Sequence, residues 1–401
     1  ADLLMDFQIL ADVFVVVVVG GMGSIGGAFL AAVLISVLRT FGVLVWPEST
    51  LVLMFLVMAV VLVVRPWGLL GRPEAPGQHG ESGPMEQPYR TSARMRSLGG
   101  LLLAVLLCLP LVDAGFMLVL VTEILILALF ASSLHFLMGP SGLVSFGHAA
   151  YFGGGAYAAA LLVHYASTPM ELALILAPTL AGALAVLVGW FCIRLTGVYF
   201  AMLTLAFAQI VWALAFQWTA FTGGDDGVLG IWPSSWASGN TAFYYLTLVV
   251  CSAGIVFIRH VLHSPFGYAL RAARDSRLRS ASIGIDVPRL QWSGFVFAGA
   301  MAGLAGALFV FSKGSVFPDE LSIQRSFDGL LMVLLGGVQT LSGPIVGAAA
   351  FTWLHDELGR LEYWRLLLGL AIIVLVIVFP HGIAGSLHRY VTRAKSGDVR
   401  R

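Results

Sequence analysis

Leu331-Met-Val-Leu-Leu-Gly-Gly337 closes an apolar run with a glycine pair, and the same device stands near the start of the chain, in Gln8-Ile-Leu-Ala-Asp-Val-Phe-Val-Val-Val-Val-Val-Gly-Gly21. Each copy continues with a polar turn and a further glycine, Thr340-Leu-Ser-Gly343 against Ser24-Ile-Gly-Gly27. A small-residue helix, a short polar break and a second long apolar helix follow in both. The copies end alike, in Phe379-Pro-His-Gly382 and Arg65-Pro-Trp-Gly68. Such end-to-end correspondence predicts two homologous membrane modules in one polypeptide, the first a remnant.

Working outward, the composition agrees. Hydrophobic residues make up 59% and charged residues 11% of the chain, and the mean hydropathy is +0.93; soluble domains carry about 25% charged residues. Too little polar surface remains to cover a water-soluble globule. The runs Leu51 to Val64, Leu98 to Val112, Met117 to Phe130 and Leu366 to Phe379 approach the ~20 residues a helix needs to cross a bilayer. There is no barrel-type alternation, so the chain reads as an all-α polytopic membrane protein. A net charge of +1 and the lack of a basic tract interleaved with aromatics offer nothing to nucleic acid. Cys108, Cys192 and Cys251 stand singly in or beside apolar runs, which speaks against a disulfide framework or a zinc site. No signal peptide precedes Ala1, and a processed chain or a fragment is expected.

Residues 66 to 97 form the long polar stretch, rich in Pro, Gly, Glu and Arg, and predict a disordered linker. The expected units are residues 1–72, with about three membrane segments; a linker, 73–97; a main module, 98–388, with about ten segments; and a basic tail, 389–401. Arginines cluster at Arg72, Arg90, Arg94 and Arg96, at Arg271, Arg274, Arg277, Arg279 and Arg289, and, with Lys395, in the tail at Arg389, Arg393, Arg400 and Arg401. The positive-inside rule places all three clusters in the cytoplasm. Parity agrees: six apolar segments (98–115, 116–138, 142–164, 171–193, 197–217, 240–262) lie between linker and loop, and four (291–312, 326–337, 343–358, 364–380) follow. The shortest, 326–337, suggests broken or re-entrant helices, tolerated where protein or a water-filled cavity satisfies the backbone.

The inside loop, Phe266 to Ile285, is rich in Ala and Leu with arginines at three-residue spacing. It predicts a short helix over 268–284 stopped at Gly284, with Pro288 beyond. Such a helix can seat in a partner's groove, or its arginines can simply meet lipid phosphates.

Three motifs carry a resemblance: Gly139-Pro-Ser-Gly-Leu-Val-Ser-Phe-Gly-His-Ala-Ala-Tyr-Phe-Gly153, Gly197-Val-Tyr-Phe-Ala-Met-Leu-Thr-Leu-Ala-Phe-Ala-Gln209 and Thr222-Gly-Gly-Asp-Asp-Gly227. In this order they resemble the M-type permease of branched-chain amino-acid ABC importers, from about Leu98 to His388. The inside loop is similar to the coupling segment of such permeases, with Leu270, Arg271, Ala272, Ala273, Arg274 and Gly284 at the matching positions; Arg271 replaces the usual leading Glu. Residues 1–72 look like the C-terminal part of the companion H-type permease, with Gly26 where a proline is common. The resemblance implies an importer permease bundle in a bacterial inner membrane. Its implied partners are two ATP-binding subunits, a periplasmic solute-binding protein and a second permease half. ATP and Mg would act there, since the chain's lysines, Lys313 and Lys395, lie outside any phosphate-cradling loop and no cofactor is expected in this chain.

The stretch Ser141 to Tyr157 is the expected substrate path. Glycines, Gly142 and Gly147 among them, permit an unwound segment whose N–H and C=O groups can hold a zwitterion, with Ser145, His148 and Tyr151 beside it. The same residues also suit helix packing, and His148 can serve only as a bridge. Glu123 is an intramembrane ionisable group, functional or paired with a neighbouring hydroxyl or amide. Thr204 and Gln209 are polar points on an apolar helix that can face the same cavity. Gly223, Gly224, Asp225 and Asp226 fall outside by parity, where a binding protein would dock, although a plain turn or a weak cation site fits too. Two other classes stand. A stand-alone secondary transporter is disfavoured by few buried charges, Glu123 and Asp113. An intramembrane hydrolase using Ser141 or Ser145 with His148 lacks an orienting acid.

Overall fold

The computed structural model describes residues 5–45, 50–71, 93–112, 115–361, 363–379 and 382–386. Most of linker 73–97, the tail 389–401, His388 and Asp113 lie outside them. Helices run α1 Met5–Gly20, α2 Ile25–Val45, α3 Thr50–Val64, α4 Ala93–Val112, α5 Phe116–Met138, α6 Ala149–Ala166, α7 Met170–Cys192, α8 Gly197–Gln217, a single turn α9 Thr219–Thr222, α10 Asn240–Leu262, α11 Pro265–Asp275, α12 Arg277–Ser282, α13 Val287–Lys313, α14 Ile323–Gly336, α15 Gly343–Leu358 and α16 Trp364–Val378. α4 begins at Ala93, so the last residues assigned to the linker are helical. Two-residue strands β1 Val228–Leu229 and β2 Ser315–Val316 pair antiparallel. Among the described residues six helices are long and apolar enough to span a membrane: α2, α5, α7, α8, α10 and α13.

α5 is the axis. Every residue from Leu125 to Leu137 is buried, so no face is left for lipid. α7 has the opposite design: Ala177, Ala181, Ala185 and Gly189 face inward while Leu172, Ile175, Leu187 and Trp190 are exposed. Its small face meets α13 closely, and a Cβ on Gly303 would stand 2.3 Å from the Ala181 Cβ. Without a hydrophobic drive inside lipid, dispersion across such close contacts holds the helices together.

The repeat is structural as well as sequential. Gly21 and Gly337 have φ of +102° and +108°, and Gly68 and Gly382 have +79° and +75°. In one copy a Cβ on Gly68 would meet Gly21 N at 2.6 Å; in the other, a Cβ on Gly382 would meet Gly337 N at 2.3 Å. α1–α3 and α14–α16 thus share these glycine conformations and close approaches, and α3 packs on α8.

The inside loop departs from expectation. It forms two helices rather than one over 268–284, because Ser276 is extended at φ −161° and its side chain caps the second helix through Arg279 N–H. Gly284, at φ +89°, follows that helix.

Candidate functional site

α5 ends at Met138 and α6 starts only at Ala149; between them the backbone is not helical. Gly142, at φ +67°, lets the chain turn back, and Leu143 N–H donates to Leu137 C=O at 3.0 Å. This stretch and α6 together make one broken helix, whose freed backbone groups need other partners. Neighbours supply them. Phe146 N–H donates to Thr204 Oγ1 on α8 (3.2 Å), and Ala149 N–H to Ser326 Oγ on α14 (3.0 Å). Gly147 is pressed against α8, where an added Cβ would stand 2.0 Å from Thr204 C=O. Thr204 therefore clamps the stretch, and Gln209, one turn on, is buried. Gly155 serves packing instead, against Gly303 of α13.

His148 is fully buried, and its Nε2 lies 2.9 Å from Ser133 Oγ on α5. The Ser133 hydroxyl proton is committed to Phe130 C=O at 2.7 Å, so Ser133 Oγ accepts from Nε2–H and Nδ1 is left as an acceptor. Among the described residues that Nδ1 has no protein hydrogen-bond partner, nor has buried Ser145 Oγ. Two unsatisfied polar atoms three residues apart on an unwound membrane segment are costly unless something polar visits them. Tyr151 meets the His148 ring edge-on at 5.8 Å. The hydrolase pairing is not formed: His148 bonds Ser133, and Ser141 Oγ donates to Phe136 C=O at 3.3 Å.

Towards the β1–β2 end the space beside the unwound stretch is filled by rings. Phe130 stacks on His148 (5.6 Å) and leans on Phe152 (4.8 Å), which touches Phe309 (5.4 Å). Above the rings lies a charged layer that sequence reasoning missed. Arg325 Nε donates to Glu320 Oε2 at 2.7 Å, with Asp328 one turn along α14. Glu123 belongs to this layer, paired with Lys313 at 2.8 Å rather than with a hydroxyl or amide. These charges are half-buried or exposed, and none is among the buried side chains; partners 190 residues apart are invisible to a linear reading.

At the arginine-rich end a cavity of about 340 Å³ opens beside Ser141, Gly142, Leu143, Arg274 and Gln339. α11 forms its wall. Pro265 sits in its first turn, Leu270 and Ala273 are buried, and Ala272 faces outward. Arg274 Nη1 donates to Gly139 C=O at 2.8 Å, and its side-chain carbons fill the space beside Gly142. Arg277 donates to Gln291 Oε1 at 2.6 Å on α13. Desolvation lowers the pKa of Arg271 and Arg277, yet both stay charged at neutral pH. The loop is thus tied directly to the base of the unwound stretch.

At the far end, Gly223, Gly224 and Gly227 all have positive φ and shape a tight turn that leaves Asp225 and Asp226 exposed. Thr222 Oγ1 donates back to Ala215 C=O at 2.6 Å and ties the turn to the end of α8. Trp236 indole N–H donates to the Glu171 carboxylate at the start of α7. Among the described residues no cluster of three or more His, Cys, Asp or Glu is placed to hold a metal.

The chain is 29% identical over 308 residues to the high-affinity branched-chain amino acid transport system permease protein LivM of Salmonella typhimurium, covering 70% of this chain and 72% of the relative. It is also 29% identical to the LivM of Escherichia coli K12, covering 62% and 65% respectively. The autoinducer 2 import system permease protein LsrC of Escherichia coli O9:H4 is 23% identical over 39% of this chain and 47% of its own length. No solved structure matches. The profile of the family described as "Branched-chain amino acid transport system / permease component" matches residues 116–377, which contain the broken helix, the cavity and the arginine-rich loop, and the chain belongs to that family.

Proposed function

We propose that this multi-pass membrane permease passes branched-chain amino acids, or a small polar solute of similar kind, along the Gly142–Tyr151 stretch. The solute's polar groups would engage the orphaned His148 Nδ1 and Ser145 Oγ. Its energy would come from ATP, with Mg, on two separate ATP-binding subunits seated on the α11–α12 loop. There Leu278 and Ile283 are 82% and 76% exposed beside the outward Ala272. A periplasmic binding protein would deliver solute at Gly223–Asp226, and a second permease half would complete the assembly. The arginine-rich loop and tail would lie in the cytoplasm of a bacterial inner membrane. With a cavity at that end and a plug at the other, this conformation reads as inward-facing. Residues 1–72 fit a remnant of the H-type permease, since they repeat the glycine geometry of the main module's last three helices.

One observation carries the mechanism: Arg274 of the exposed loop grasps Gly139, where the unwound path begins. Movement of the loop by an ATPase must therefore move the path, as a switch between two packings. Reconstitution in proteoliposomes with the partner subunits should give leucine uptake that requires ATP. Uptake driven by an ion gradient without those subunits would overturn the reading in favour of a secondary transporter.

A further inference from the structure

The charged layer above the aromatic plug has a construction that plain packing does not call for. Arg325 is held by Glu320 through Nε and Nη2, and both contacts go to the same oxygen, Oε2, at 2.7 and 2.5 Å. The parallel two-oxygen fork, the stronger arrangement for guanidinium and carboxylate, is not made. The arginine plane also lies over Phe152 and Phe309, at 5.5 and 5.1 Å, so one side chain joins the ionic layer to the plug. Around it stand Asp328 on the same helix, Asp319, and the Glu123–Lys313 pair. The hydroxyl of Tyr157, a residue 5% exposed, lies in the field of Asp319 and Glu320 and has no protein hydrogen-bond partner among the described residues. The layer thus offers a half-buried guanidinium, an excess of carboxylates and a buried hydroxyl, with Lys313 and Asp319 at its exposed margin.

We infer that the Arg325–Glu320 pair is the outer latch of the passage, and that it opens by exchanging partners with a zwitterionic amino acid. The ligand's carboxylate takes Arg325 in the fork that Glu320 does not make, and its ammonium takes the released Glu320 and Asp328. Arg325 then leaves the faces of Phe152 and Phe309, and the rings part above His148. Recognition is by the charged main-chain groups alone, which suits a passage that accepts several apolar side chains. The inference rests on the transport reading and orientation proposed above.

The test uses proteoliposomes holding the full chain with its ATPase and binding-protein partners, assayed for leucine uptake, ATP hydrolysis and passive efflux of preloaded leucine. Arg325→Gln should lower leucine imported per ATP at least tenfold while hydrolysis continues. Glu320→Gln should raise ATP-independent efflux at least fivefold, because the latch loses its charge. Arg325→Lys keeps the cation but not the fork; it should hold efflux at the unsubstituted level and raise the KM for uptake, and it replaces Arg325→Gln should that variant fail to assemble. Unchanged import per ATP at position 325, or unchanged efflux in Glu320→Gln, overturns the latch. Lack of ATP-driven uptake by the unsubstituted protein overturns the importer reading instead.

Discussion

At the residue scale, two positions on the unwound stretch separate a structural role from a transport role. Ser145 Oγ has no protein partner among the described residues, so Ser145→Ala removes no hydrogen bond to them and should leave thermal stability within about 0.5 kcal/mol of the original. Leucine uptake should nevertheless fall several-fold if that oxygen serves the solute; unchanged uptake would remove Ser145 from the path. Gly147→Ala works the other way. Its Cβ meets the Thr204 carbonyl, and such overpacking costs about 1–3 kcal/mol, which a melting curve in detergent reads directly. The unwound stretch was legible because glycine and serine replace leucine where a span would otherwise continue. Ser133, the partner of His148, was also within reach of sequence: a hydroxyl on an apolar helix is the same signal that singled out Thr204. What no sequence signal supplied was the fold's choice of which hydroxyl faces which ring nitrogen.

At the element scale, helix bounds were easy and helix breaks were hard. Phe116–Met138, Gly197–Gln217, Asn240–Leu262 and Gly343–Leu358 coincide with the apolar segments read from sequence, since membrane solvation fixes length and composition together. The α11–α12 break escaped notice because Ser276 is an ordinary residue in a helix-favouring run, and its capping role depends on backbone geometry. That break matters for coupling. α11 grips the base of the unwound stretch through Arg274, so Arg274→Ala should uncouple the transporter: ATP hydrolysis persists while solute transport drops about tenfold or more. Loss of this charge-assisted bond costs about 1.5–3 kcal/mol of local stability, small against a folded membrane body. Parallel ATPase and uptake assays decide the matter. Equal loss of both activities would mean that Arg274 serves assembly rather than force transmission.

At the scale of the whole molecule, charge and architecture must agree on which way the chain sits in the bilayer. The arginine-rich loop and the 340 Å³ cavity share one end; the glycine-shaped knob at Asp225 and Asp226 and the ion-pair layer share the other. The positive-inside rule weighs only lysine and arginine near span ends, and it acts during insertion. The cavity and latch are properties of the finished fold, so their alignment with the charge bias is an independent constraint. Site-directed labelling reads the result. In intact cells, Asp225→Cys should react with a membrane-impermeant maleimide, whereas Leu278→Cys, 82% exposed on α12, should react only after the membrane is opened. Cys192 and Cys251 are buried and give little background; Cys108 is exposed and is best replaced by Ala first. Labelling of position 278 from outside would invert the chain, seat the loop beyond the reach of any ATP-hydrolysing subunit, and move the latch to the inner mouth, so this one experiment bears on the coupling loop, the docking knob and the latch together.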